Sequence, residues 1–408
     1  MEVFRRLSLN AEIAIKSNSS TFLLSETGAL YACGYNEYGQ LGLGDSENRS
    51  TLQKVSLDES VKTVVTSGIS TFVITVSGEL YTCGYNSLGS LGLGDTSHRS
   101  TLRKVPLEES VKTVVTNGSS TFVITRRGTL YACGNNSSGQ LGLGDDHDRS
   151  TLQRVPLEES VKAVVTGNSS TYVLTRSGAL YACGYNYFGQ LGLGDNRERS
   201  TLTRVPLDET FKTVVTSGQS TYVLTTNGVL YSCGYNAFGQ LCLGDNSNHS
   251  TLTRVPLMES AKMIATGYNS TYVITISGEL YTCGYNYYGQ LGIGDRRDPS
   301  KLIRAPVPEN VKTIGVNCSS FVITVSGTLY ACGDNSYGQL GFGDSSQLST
   351  LRRVPLIESA KTVTTGFNST LVLTANGEVY ACGNNSYGQL GLGDRTDRNT
   401  FALISQFE

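Results

Sequence analysis

Ten cysteines and three histidines are the side chains of this 408-residue chain best suited to metal binding, redox exchange or nucleophilic catalysis. Their spacing decides whether they do any of it. Cys33, Cys83, Cys133, Cys183, Cys233, Cys283, Cys332 and Cys382 follow one another at 50 residues, with a single 49-residue step. Cys242 and Cys318 stand apart, and no two cysteines form a C-x-x-C pair. His98, His147 and His249 fall at three different offsets, so they build neither a triad nor a metal spacing. The run "DDHD", Asp145 to Asp148, lacks a repeated oxygen-ligand spacing and reads as an exposed acidic loop rather than a cation site. No nucleophile, base and oxyanion-donor set is visible, so the expectation is a protein without metal, cofactor or conventional catalysis.

The cysteine period is the period of the whole chain. "CGYNEYGQLGLGD" from Cys33 returns as "CGYNSLGSLGLGD" from Cys83, and eight such copies fill the sequence. A fixed repeat of this size marks a repeat architecture. Within the fourth unit, "AVVT", "TYVLT" and "ALYACG" are short β-branched and aromatic runs that read as strands A, B and C. "TRVPL" reads as strand D, at a sheet edge because Pro206 cannot donate to a ladder. "RSGA" is the B–C hairpin turn. Its counterparts Asn227-Gly228 and Asn376-Gly377 suit a two-residue type I′ turn.

Strands B and C are apolar on both sides, so each four-stranded meander needs a neighbour on each face. Radial stacking supplies both neighbours. The expected fold class is therefore all-β: a single closed β-propeller of eight blades of four antiparallel strands, with seven blades plus a spare repeat as the alternative. Residues 1–408 form one domain of eight repeats, closed by a terminal strand at 4–9 or 399–404; "FRRLSL" from Phe4 is favoured as the clasp. The Gly-rich loop carries the chain from strand C to strand D. Its glycines supply turn conformations, and Asn36 and Asp45 bond local backbone. The repeated cysteines are read as small apolar residues packed between blades. Strand-C positions on neighbouring blades should lie ~10 Å or more apart, beyond the ~7 Å limit for a disulfide. Ten unpaired thiols imply a reducing compartment, and the start of the chain shows no signal peptide or membrane span, so a cytoplasmic location is expected.

"N-x-x-G-Q-L-G-L-G-D" after "S-G-x-L-Y-x-C-G" resembles the regulator of chromosome condensation repeat, eight times in register over essentially the whole chain. The resemblance implies a propeller, and as one activity guanine-nucleotide exchange on a Ran-like small GTPase. Two departures stand against exchange. The family's A–B loop often carries G-x-x-H, where this chain has Ser70, Ser120, Ser170, Ser220, Ser270 and Ser369. Exchange in the family also uses a wedge inserted between strands, and the even period leaves no room for one.

In a meander the A–B and C–D loops share one face, and most variation between units lies there. Tyr185, Tyr187, Phe188, Tyr235, Phe238, Tyr285, Tyr287 and Tyr288 form an arc over the fourth to sixth units, where the third has Asn135, Ser137 and Ser138. Tyr268 and Phe367 add to it from A–B loops. Tyr-rich loops suit protein binding, because they offer large area at low entropy cost; the competing reading is that these rings pack on neighbouring blades. On the opposite face runs a rhythm from Glu59/Lys62 to Glu358/Lys361, open to a charged partner and read as a solvated salt-bridge belt. Lys+Arg 32 against Asp+Glu 34 gives no basic block for nucleic acid. The expected function is a monomeric, non-enzymatic scaffold that binds a protein through the A–B/C–D face, with no nucleic-acid or membrane partner. The alternatives are an exchange factor and a regular amplified or designed scaffold without a ligand.

Overall fold

The computed structural model describes residues 11–404 apart from 18, 357 and 367. Within them run thirty-two strands, β1 (Ala11–Ser17) to β32 (Arg398–Leu403), in eight sheets of four. Every sheet pairs its strands antiparallel in chain order, and takes A, B, C and D from one repeat. The protein is an eight-bladed all-β propeller, and no repeat is left over. In the fourth blade A is Val161–Thr166, B Ser170–Thr175, C Leu180–Gly184 and D Arg199–Arg204.

Two local expectations change. Strand D stops before its proline. The Val205 amide makes a last bond to the Leu180 carbonyl and Pro206, with no amide hydrogen, follows; the first blade stops at the same place with Ser56 there. The B–C turn is not type I′. The Gly228 amide bonds the Thr225 carbonyl, and the Thr225 amide bonds the Val229 carbonyl, so three residues span the turn. Gly228 has φ +83°, and Asn227 is not among the positive-φ residues. This is the loop in which a type I turn is followed by one left-handed residue. Only the last position demands glycine, which explains why the preceding one is free to be Ser, Arg, Thr or Asn.

Strand B is buried along its whole length in every blade (for example Ser170–Thr175). Its side chains feed eight apolar clusters, each lying between two adjacent blades. Tyr172, Leu174, Leu180 and Leu191 of the fourth blade pack on Phe211, Val214 and Val223 of the fifth. The inner wall is made by the A strands, which approach their counterparts on both sides. Thr216 Oγ1 donates to the Thr166 carbonyl at 2.9 Å, and Thr266 Oγ1 to the Thr216 carbonyl at 3.0 Å.

The Gly-rich C–D loop turns as expected, and it also does something its sequence did not reveal. Buried Asn186 accepts the Leu191 amide at 2.9 Å and donates to the Asp195 and Arg197 carbonyls at 2.9 and 3.0 Å. Asn186→Ala leaves these backbone groups unpaired, and we expect a loss of about 2 kcal/mol in urea unfolding. The loop is then laid across the next blade. The Gly194 amide bonds the Ser250 carbonyl at 2.9 Å, and the Gln190 carbonyl accepts Cys233 Sγ at 3.4 Å. Each loop is a staple from one blade to the next.

The staple also closes the ring. Gly393 of the eighth blade bonds the Ser50 carbonyl of the first at 2.9 Å, and Thr21 Oγ1 donates to the Gln389 carbonyl at 2.6 Å. Leu23, Cys33 and Leu52 share one apolar cluster with Leu371, Leu373 and Leu390. The D position of the eighth blade is filled by β32, the C-terminal candidate. Phe4 to Leu9, the favoured clasp, lies outside the described residues.

Two further expectations are corrected. Most cysteines are buried thiols outside any disulfide, with burial pushing those of Cys83, Cys133 and Cys183 up to about 12. Cys242 and Cys283, however, form a disulfide, with Cα atoms 5.8 Å apart. The ~10 Å separation applies between strand-C positions. Cys242 is not on a strand: it sits in the staple, where the fourth blade has Gly192. A Cβ on Gly192 would lie 3.2 Å from Cys233 Sγ of the next blade. A cysteine at that loop position is therefore already against its neighbour's thiol. This removes the premise of ten free thiols on which the reducing compartment rested.

The Glu…Lys rhythm is not a salt-bridge belt. Glu59 accepts from Ser77 at 2.6 Å and Tyr81 at 3.0 Å, and Glu159 accepts from Ser177 and Tyr181, both at 2.6 Å. None of the lysines in the rhythm forms an ion pair among the described residues.

Candidate protein-binding face

Two positions in each C–D loop set the chemistry of the A–B/C–D face: the residue before the buried Asn, and the residue before the first loop Gly. In the fourth blade these are Tyr185 and Phe188. The backbone of the first is pinned from strand B. Ser220 Oγ donates to the Tyr235 carbonyl at 2.7 Å, and Ser270 Oγ to the Tyr285 carbonyl at 2.6 Å. These serines stand where the family's loop often has histidine, and here they hold the loop entry.

The second position reaches the neighbouring blade. Phe188 meets Tyr235 edge-on at 5.1 Å between ring centroids, and Phe238 meets Tyr285 at 5.1 Å. Within blades, Tyr187–Phe188 lie at 5.0 Å and Tyr287–Tyr288 at 5.1 Å. Tyr268 joins Tyr285 at 5.7 Å from its A–B loop. The arc expected over the fourth to sixth blades is thus one unbroken chain of ring contacts in edge and offset geometries favoured by aromatic quadrupoles.

The set divides by exposure. Tyr185, Phe188, Tyr235, Phe238, Tyr285 and Tyr288 are half-buried and pack on one another. Tyr187, Tyr268 and Tyr287 are 66%, 58% and 62% exposed. Phe367 lies outside the described residues. Burial pushes the Tyr285 and Tyr288 hydroxyls up, so they remain neutral donors.

A second arc was missed. Tyr387 meets Tyr35 at 5.1 Å, and Tyr38 meets Tyr85 at 5.2 Å. His98 stacks on Tyr85 at 4.9 Å, and its Nδ1 accepts the Asn86 amide at 3.0 Å. The four tyrosines occupy the same two loop positions as Tyr185 and Phe188, and His98 joins them from the end of its loop. Tyr387 joins the rest only because the eighth blade meets the first. Between the arcs lies a polar notch, Asn135, Ser137 and Ser138.

Acid–base pairs hold the loop ends. Asp195 binds Arg199 at 2.6 Å, and Asp145 binds Arg149 at 2.6 Å. The Arg197 amide, then the Arg199 guanidinium, hold the Asp195 carboxyl below its usual range. His249 takes the arginine's place beside Asp245, at 3.2 Å, and His147 lies beside Asp145 and Asp146. No group of three His, Cys, Asp or Glu side chains is placed to hold a metal ion among the described residues.

Fold and face together define a repeat propeller with a ring-lined loop surface. The chain belongs to the regulator of chromosome condensation (RCC1) repeat family. That repeat matches residues 27–74, 127–174, 177–224, 277–326 and 326–373, more than half of the chain. A second form of it matches 111–140, 161–190, 262–290 and 360–389. Among solved structures, human WBSCR16 is similar at 21% identity and a TM-score of 0.67, over 85% of this chain and 99% of that one. Yeast RCC1 (Prp20), crystallised bound to Kap60, is similar at 20% identity and a TM-score of 0.65, over 82% and 85%. A further structure of Prp20p from Saccharomyces cerevisiae, described with its binding to Gsp1p and histones, gives 20% and 0.64, over 82% and 87%.

Proposed function

We propose that the protein is a non-enzymatic binding scaffold whose partner, another protein, docks on the A–B/C–D face over the fourth to sixth blades. The observation that carries this reading is the exposure of Tyr187, Tyr268 and Tyr287 on a pre-packed bed of rings. Rings held by their neighbours lose little entropy when a partner covers them, and aromatic anchors of this kind dominate binding energy in known interfaces. The relatives support a protein partner: yeast Prp20 is seen with Kap60 and described with Gsp1p and histones.

A second reading, exchange on a Ran-like small GTPase, is the one the repeat's resemblance implies, and the binding of Prp20p to Gsp1p favours a protein partner for it too. Both are tested with Tyr187→Ala/Tyr287→Ala. The two side chains are mostly exposed, so we expect the double variant to unfold within about 1 kcal/mol of the parent. Nucleotide release from a panel of loaded small GTPases is then followed with each protein. Acceleration by the parent that is lost in the variant establishes exchange. No acceleration, with capture of a defined partner by the parent alone, supports the scaffold. A partner bound equally by both proteins sinks the aromatic docking site.

A further inference from the structure

The opposite face carries a site that the docking proposal does not use. Strand A begins there in every blade, and its second residue is a β-bulge. Pairing jumps from Val61 to Thr63, from Val161 to Ala163, from Phe211 to Thr213 and from Ala360 to Thr362. The residue skipped is a lysine in seven blades, Lys62 to Lys361 in register, and Glu12 in the first. A bulge re-aims the side chain it carries, and all seven lysines are exposed.

Strand A is the inner wall, so these lysines ring the mouth of the central channel. Their direction is visible in two blades. Lys162 Nζ donates to the Lys212 carbonyl at 3.4 Å, and Lys212 Nζ to the Lys262 carbonyl at 3.2 Å. The side chains run round the wall from blade to blade instead of outward to the rim. The nearest acids in sequence are turned away. Glu59, Glu159 and Glu259 accept from hydroxyls on the B–C turns, Ser77, Ser177 and Ser277. The seven lysines form no ion pair among the described residues, and with Glu12 as the one acid at this position in the eight repeats the ring keeps an excess of like charge that repels itself. A multivalent anion on the axis relieves that repulsion.

We propose that this ring binds a compact molecule bearing several phosphate groups. The rim restricts the ligand class. Asp58, Glu108, Glu158 and Asp208 are exposed in the D–A segments. A nucleic acid or an anionic bilayer lies across the rim and meets these carboxylates. A small polyphosphate enters the channel and meets the lysines.

The test is calorimetric titration of the whole chain with inositol hexakisphosphate as the probe. We expect one saturable site per chain, weakening as salt is raised. Inorganic phosphate should compete poorly. Vesicles of phosphatidylcholine doped with phosphatidylinositol bisphosphate should not bind. Lys162→Ala/Lys212→Ala/Lys262→Ala should weaken binding roughly a hundredfold or more. Lys62→Ala/Lys312→Ala removes lysines that make no hydrogen bond among the described residues, so it reports even if the triple variant folds poorly; roughly tenfold weakening is expected. Tyr187→Ala/Tyr287→Ala, on the other face, should bind as the parent does. No saturable binding, undiminished binding in both lysine variants, or binding to the vesicles alone overturns the proposal.

Discussion

Gly189→Ala should prevent the propeller from folding, while Gly194→Ala, five residues on in the same loop, should leave it folded and modestly weakened. Both glycines have positive φ, +79° and +89°. Any L-residue pays about 1–2 kcal/mol there. What differs is the neighbour. A Cβ at Gly189 would stand 2.4 Å from Ser250 Cα and 3.0 Å from Ser250 N, in strand D of the next blade. At Gly194 it meets only Thr251 Cγ2, at 3.8 Å. Backbone cannot rotate aside as a side chain can. The Gly189 variant must therefore lift the staple off the fifth blade, taking with it the Gly194–Ser250 bond and the buried Leu191. We expect a difference of more than about 4 kcal/mol between the two variants. Urea midpoints and far-ultraviolet circular dichroism decide it. Two variants of similar stability would show that the loop is only a turn and not the link between blades.

That contrast also marks how far the sequence could be read. The repeat, the four strands, the blade count and the architectural role of Asn36 and Asp45 were all legible, because each rests on local chemistry repeated eight times. The staple was not. Its bonds run from Gly194 to Ser250 and from Thr21 to Gln389, between residues that no period places together. The turn at Asn227-Gly228 failed for a smaller reason. Asn-Gly satisfies two loop lengths, and only the ladder bond from Thr225 to Val229 selects the longer one.

The face was half legible. Tyr187 and Tyr287 stand out because the fourth and sixth units carry a tyrosine where the fifth has Ala237. Tyr387 and Tyr35 come from opposite ends of the chain, and they touch only after the eighth blade has closed on the first. The lysines were visible as a rhythm and misread as partners of the glutamates. Spacing along a strand cannot show that Lys62 sits in a bulge while Ser77 and Tyr81 donate to Glu59.

Reduction should cost this protein stability through one bond alone. Cys242–Cys283 ties the staple of the fifth blade to strand C of the sixth across 41 residues. Loop-closure entropy for a link of that length is worth about 4 kcal/mol. Against it stands the conformation of Cys242, which holds φ +60° where the other units place glycine; that conformation costs about 1 kcal/mol or more. Cys242→Gly loses the link and recovers the strain, so its net loss should be about 3 kcal/mol, and its midpoint should no longer respond to reductant. Cys283→Ala loses the link and keeps the strained Cys242, so it should fall further than Cys242→Gly. The order oxidised parent, Cys242→Gly, Cys283→Ala is the signature of a cross-link laid on a glycine site. Alkylation of the unfolded, unreduced chain gives an independent count: eight thiols should react, rising to ten after reduction. Ten reactive thiols before reduction, or a parent whose midpoint ignores reductant, would refute the bond. Cys33, Cys83, Cys133, Cys183, Cys233 and Cys332 cannot mimic the effect, because each faces a staple glycine, as Cys233 faces Gly192.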